Sequence, residues 1–272
     1  MKCAWKELLA ILPPGLRQKI RDNDLWEIRL RLGRATELVS GKGSCWLDHA
    51  ATREDLNFVV NMASRYSPWT AQTMSRGYIT APGGHRIGLG GEVVVNGGQV
   101  TGIREVDSLC VRVAHDVTGI GRAYGGLGGS VLILGPPGAG KTTLLRDLCR
   151  EFSRREAVAV VDERGELFPA GFDRGRALDV LSLCPKPEGI HMALRTLSPA
   201  TIAVDEITGE DDAQALLRAG WSGVRLLATA HGCGIKDLKS RPVYRSLMEH
   251  QLFSHILICC RDKSRPTERM DL

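Results

Sequence analysis

Several things are scarce in this chain, and each shortage removes a class of function. Only 5% of its 272 residues are aromatic, too few for the stacking platforms on which single-stranded nucleic acids lie. It carries no Lys/Arg block. The net charge of +5 is spread evenly, with 15 basic against 12 acidic residues over 1–120 and 21 against 19 over 121–272. No nucleic-acid partner is therefore expected. No window approaches ~18 consecutive apolar residues, so no transmembrane helix is expected. The first residues, Met1-Lys2-Cys3-Ala4-Trp5-Lys6-Glu7, lack the apolar core of a secretory leader. The eight cysteines show no C-x-x-C spacing, and Cys259-Cys260 lies inside an apolar run. A reduced, cytoplasmic setting is the simple reading. There is no internal repeat and no low-complexity segment.

What is present is concentrated in one stretch. Gly135-Pro136-Pro137-Gly138-Ala139-Gly140-Lys141-Thr142-Thr143 satisfies G-x-x-x-x-G-K-[ST] at every fixed position. The apolar run Val131-Leu132-Ile133-Leu134 precedes it as a buried strand, and the residues from Thr143 to Cys149 follow it as the first turns of a helix. Glycines let such a loop turn its backbone N–H groups inward, and the helix N-terminus adds partial positive charge. The loop is expected to cradle the phosphates of ATP. Lys141 would reach the β and γ oxygens and Thr142 would lie on Mg²⁺.

The flanking pattern sets the fold expectation. Val131–Leu134, Ala157–Val161, Thr201–Val204, Arg225–Thr229 and His255–Cys259 are mostly continuous apolar runs, as in a parallel sheet covered on both faces. Between two of them, Ala213, Leu216, Leu217 and Gly220 fall on one helical face. Residues 131–272 thus read as a doubly wound α/β domain of the RecA-like P-loop NTPase kind.

Residues 1–117 read as a smaller α+β domain. Trp5–Ile11 is a short helix stopped by Pro13-Pro14, and Arg53–Tyr66 is a longer one. Leu25–Leu32 alternates Trp26, Ile28, Leu30 and Leu32 against charged residues, which predicts a half-buried strand with those four facing the core. Short strands are expected at Gly77–Ala81, His85–Leu89, Glu92–Asn96 and Gln99–Ile103, with a hairpin turn at Asn96-Gly97-Gly98. Residues 118–130 carry six glycines and read as a hinge.

The acids follow the strands. Asp205, after Thr201–Val204, is placed to hold Mg²⁺ beside Thr142. Glu206 can orient the attacking water. Asp162 and Glu163 end the neighbouring strand in the same way, so Glu163 is a rival for the base, and Glu166 a further acid. His231, after Arg225–Thr229, is placed as a γ-phosphate sensor. Arg195 precedes the Asp205 strand and can meet developing charge, as can Arg104 and Arg112 from the first half.

In their order, the phosphate loop, Val161-Asp162-Glu163-Arg164-Gly165-Glu166-Leu167, Ile202-Ala203-Val204-Asp205-Glu206-Ile207 and Leu227-Ala228-Thr229-Ala230-His231-Gly232 resemble the type II/type IV secretion traffic ATPases. Those proteins carry a phosphate loop, an acidic box, a Walker B strand and a histidine box in that sequence. Within the family, Glu27-Ile28-Arg29-Leu30-Arg31, Gly77-Tyr78-Ile79-Thr80, the run from Pro82 to Leu89 and that from Ile103 to Ala114 resemble a sporulation branch. The resemblance implies a homohexameric ring ATPase in the mother-cell cytoplasm of a spore former. It would dock on membrane proteins of the channel complex facing the forespore. It also implies that Arg104 and Arg112 act across the subunit boundary. Asp205-Glu206 departs from the Gly-Glu pair of many traffic ATPases, and Trp221 stands where a small or polar residue is expected. A nucleic-acid-binding RecA-like ATPase and a nucleotide-dependent assembly switch with little turnover remain as alternatives.

Overall fold

The computed structural model describes residues 2–20, 25–64, 77–169, 171–262 and 267–272. They divide into two units: Met1–Asp116 with Pro169–Phe172, and Val117–Phe168 with Asp173–Leu272.

The strands of the first unit, in chain order, are β1 (Lys2–Cys3), β2 (Leu25–Arg31), β3 (Ala35–Ser40), β4 (Gly43–Ala50), β5 (Tyr78–Thr80), β6 (Arg86–Asn96), β7 (Gln99–Arg112) and β8 (His115–Asp116). Six of them form an antiparallel sheet in the order β4-β3-β2-β7-β6-β5, and β1 pairs with β8. Leu8 and Ile11 from the helix Trp5–Ile11 and Leu56, Val59 and Ala63 from the helix Arg53–Ser64 pack onto Ile28, Leu30, Ile79, Ile87, Leu109 and Val111 of this sheet. The last two residues of the predicted Arg53–Tyr66 helix lie outside the described residues.

Two expectations for this unit are corrected. The register of β2 shifts between Leu25 and Glu27. The inward set is therefore Leu25, Ile28 and Leu30, while Trp26 is half exposed and Leu32 lies beyond the strand. An irregularity of this kind breaks the period of two on which the alternation argument rests. The strands read as His85–Leu89 and Glu92–Asn96 are one strand, β6, and β7 continues past Ile103 to Arg112. The interruption near Gly90–Glu92 is a register shift, not a chain break. The two-residue loop Gly97-Gly98 joins Asn96 to Gln99 as the turn signal requires.

The second unit adds β9 (Val131–Gly135), β10 (Val158–Asp162), β11 (Leu178–Ser182), β12 (Thr201–Val204), β13 (Arg225–His231), β14 (His255–Ile258) and β15 (Glu268–Asp271). The sheet order is β11-β10-β12-β13-β9-β14-β15, parallel throughout except for the β14–β15 pair. Alternation along each strand sorts the core onto two faces. Leu132, Leu134, Val161, Ile202 and Val204 meet Ile190 and Ala193 of the helix Lys186–Thr196 and Ala213, Leu216 and Leu217 of the helix Glu210–Trp221. Val131, Ile133, Val160, Ala203 and Leu227 meet Leu144, Leu145, Leu148 and Phe152 of the helix Lys141–Ser153. Helices on both faces of a parallel sheet place the carboxyl ends of its strands along one edge, where a crevice opens.

Residues 118–130 belong wholly to the second unit. The Gly121 N–H donates to the buried Asp147 carboxylate at 2.6 Å, and a Cβ at Gly121 would come within 2.9 Å of the Leu148 backbone nitrogen. Here glycine permits close packing against the helix Lys141–Ser153.

Candidate functional site

The phosphate loop joins β9 to the helix Lys141–Ser153. Gly138 (φ +75°) and Gly140 (φ +91°) take the left-handed region that only glycine enters freely. No side chain caps this helix, so its first-turn N–H groups are not committed to a capping side chain. Lys141 is nearly buried and curls over the loop, with Nζ donating to the Pro136 carbonyl at 3.1 Å. Burial pulls its ammonium below the usual lysine range, opposed by Glu206 and Asp205.

The predicted metal pair is in contact. Thr142 Oγ1 donates to Asp205 Oδ2 at 2.9 Å. A hydroxyl and a carboxylate so placed, at the mouth of an inward-curving loop, suit a cation that also takes phosphate oxygens. Among the described residues no group of three or more His, Cys, Asp or Glu is arranged around a metal. Mg²⁺ needs none, since it is held by one or two protein oxygens together with phosphates and water.

The other Asp205 oxygen is held by a residue that sequence reasoning passed over. Thr229 Oγ1, fully buried on β13, donates to Asp205 Oδ1 at 2.7 Å and accepts from the Glu206 N–H at 2.8 Å. The one hydroxyl in the otherwise apolar run Leu226-Leu227-Ala228-Thr229-Ala230 was the available signal. Glu206 sits at φ +41°, strained for a residue with a side chain. The Thr229 bond and the Ile207 N–H to the Thr229 carbonyl at 2.8 Å hold it there.

His231 ends β13 level with Gly135 of β9. Its Nδ1 lies 3.1 Å from Lys141 Nζ and its Nε2 2.9 Å from Glu206 Oε1. An ammonium only donates, so Nδ1 is the acceptor and Nε2–H the donor to the carboxylate. Lys141, His231 and Glu206 thus form one chain of hydrogen bonds. Arg164 approaches Glu206 from the other side at 3.5 Å.

The acidic loop after β10 divides by role. Asp162 is buried, and its two oxygens accept from the N–H groups of Glu166, Leu167 and Phe168 at 2.9, 2.8 and 3.3 Å. Burial raises its pKa, and those donors oppose the rise. The Asp162 carboxylate is thus engaged in folding its own loop. Glu166 contributes backbone: its N–H goes to Asp162 and its carbonyl accepts from Arg146 at 2.9 Å. Glu163 remains exposed at the crevice and pairs with Lys186, another residue the sequence argument missed. Glu163, Arg164, Lys186, Asp205 and Glu206 line one small cavity with Asp162.

Arg195 is not brought to this site. Lys186 starts its helix beside Glu163, and Arg195 ends the same helix nine residues on, about 13 Å along the axis and toward the amino edge of the sheet. It is exposed there. In the first unit Arg104 pairs with Glu92 and Arg112 lies 3.7 Å from Glu27.

A family model described as sporulation stage III, protein AA matches residues 6–269. The chain is 36% identical over 286 residues to stage III sporulation protein AA of Bacillus subtilis (strain 168), covering 96% of this chain and 92% of that one. Its fold is similar to that of the Legionella pneumophila ATPase DotB, with a TM-score of 0.59 and 17% identity over 86% of this chain and 72% of the other. It is similar also to the pilus retraction motor PilT solved with bound ADP, with a TM-score of 0.61 and 16% identity over 86% and 74%. At such identities the likeness is one of fold: a RecA-like domain preceded by an α+β unit.

Proposed function

This chain belongs to the sporulation stage III protein AA family, and we propose that it acts there as a Mg²⁺-dependent ATPase. The observation that carries this reading is the 2.9 Å bond between Thr142 and Asp205, which joins the phosphate loop to the Walker B strand end. Lys141 and the loop amides would bind the β and γ phosphates, with Thr142 and Asp205 holding Mg²⁺. The bound ion supplies charge neutralisation on the phosphate oxygens. Glu206 is the base in this account. It is two hydrogen bonds from Lys141 through His231, so a change at the γ phosphate reaches it directly. Because His231 accepts from Lys141, it receives notice of phosphate binding when that ammonium turns to its ligand.

The assembly is a ring of six copies, with Arg104, Arg112 or Arg195 supplied to a neighbour's site. Arg195 is exposed at the far edge of its own sheet, which favours a role only in trans. The ring would work in the mother-cell cytoplasm, docked on membrane proteins of the channel facing the forespore, and would energise that channel. No helix among the described residues is long and apolar enough to cross a membrane, so the docking surface is sought on these two units.

Substituting Lys141 with Ala should abolish Mg·ATP turnover and weaken ATP binding while unfolding stays cooperative. Retained full turnover would sink the proposal.

A further inference from the structure

Lys186 occupies a position that stability alone disfavours. It is the first residue of the helix Lys186–Thr196, and its side chain is only 5% exposed. A cation at a helix N-terminus opposes the macrodipole, and burying an ammonium carries a desolvation penalty. Two carboxylates hold it there. Glu163, from the loop after β10, pairs with Nζ, and Asp212 Oδ2 lies 3.5 Å from it. Asp212 Oδ2 also accepts from the Thr208 N–H and hydroxyl, both at 2.9 Å. Thr208 lies two residues beyond Glu206. A single buried ammonium therefore ties the Glu163 loop to the strap that carries Glu206 into the helix Glu210–Trp221. Where a local rule is broken at a crevice, function is the usual reason.

We propose that Lys186 is a positioning residue for ATP hydrolysis, bracing the Glu163 loop against the Glu206–Asp212 segment so that both glutamates keep their places in one cavity. The inference rests on the ATPase reading above. It assigns Glu163 a supporting place beside the reacting water and leaves Glu206 as the base. Lys186 touches neither the phosphate loop nor Thr142 in the contacts of this site, so its loss should act on the chemical step and not on ATP binding.

The test is a double-mutant cycle of Lys186→Met and Glu163→Gln, with Lys186→Arg as the conservative variant. Lys186→Met should lower kcat on the order of 10-fold to 100-fold while KM for ATP stays within about 2-fold. Lys186→Arg should recover part of the loss. In the Glu163→Gln background, Lys186→Met should cost less than about 2-fold more, because residues that act as a unit are non-additive. Independent multiplicative losses, or an effect on KM alone, would overturn the assignment. A readout besides turnover is amide hydrogen exchange. Lys186→Met should speed exchange at residues 163–166 and 206–209 together, with the β9 and β12 amides unchanged. If only one loop loosens, the brace is refuted. If the parent protein binds ATP and never turns it over, the ATPase reading fails, and the exchange result still decides the brace.

Discussion

At the scale of single residues, the site depends on who shares whose hydrogen bonds. Thr229 is the clearest case, since its one hydroxyl serves both Asp205 and the Glu206 backbone. Thr229→Val keeps the shape and removes both bonds. The half-buried Asp205 carboxylate left short of a donor costs on the order of 1 kcal/mol, and Glu206 loses the contact that supports its positive φ. The expected outcome is a lower unfolding midpoint together with at least a ~10-fold fall in turnover, read by urea titration and steady-state kinetics. An unchanged rate would mean that the Thr229 bridge does not set the acid pair. A second residue makes a pH prediction. His85 is fully buried, with Nδ1 accepting from the Ala114 N–H at 3.1 Å and Nε2 3.0 Å from the Ala4 carbonyl. Burial lowers its pKa from 6.5, opposed by that carbonyl. A histidine whose folded pKa is depressed contributes stability that is complete above pH 6.5 and is lost as pH falls toward the folded pKa. Urea midpoints of the parent should drop between pH 7.5 and 5.5 more steeply than those of His85→Asn. Parallel slopes would remove His85 as the source.

Elements were legible where composition forced them and obscure where pairing did. β9, β10, β12 and β13 are buried on both faces, so their apolar runs announced them. β4 is mostly exposed, and β15 is exposed along its whole length; each is a strand because a neighbour pairs with it, and Glu268-Arg269-Met270-Asp271 has no apolar pattern to read. The phosphate loop and Asp205 were readable because their chemistry fixes residue types at fixed spacing. Lys186 was not, because its partners Glu163 and Asp212 lie 23 and 26 positions away and only the fold brings them together. In the glycine-rich stretch, composition alone does not tell glycines that grant motion from glycines that permit close contact. Gly121→Ala presses a methyl against the Asp147–Leu148 backbone and should cost about 1–3 kcal/mol. Gly126→Ala meets nothing within 4 Å and should stay within about 0.5 kcal/mol of the parent. Equal unfolding midpoints for the two variants would contradict the packing role of Gly121.

For the whole molecule, the candidate groups that the motifs pointed to fall unequally on the two units. The second carries the phosphate loop, both acid loops and His231. The first carries Arg104 and Arg112 on an antiparallel sheet. The Lys141–His231–Glu206 chain of hydrogen bonds lies within a single copy, and in the proposed account it supplies the groups for phosphate binding and water activation. Arg164 pairs with Glu206, and Arg261 Nε donates to the Pro137 carbonyl of the phosphate loop at 3.2 Å. In the proposed account a neighbouring copy adds an arginine to the site, which makes the rate depend on assembly.

The most direct measurement is Mg·ATP turnover by the purified protein across a concentration series, run beside Glu206→Gln. The account predicts specific activity that rises with protein concentration in the parent and is lost in the variant, with ATP still bound by both. Turnover that is independent of concentration and survives in Glu206→Gln would contradict it, as would tight ATP binding with no turnover at any concentration.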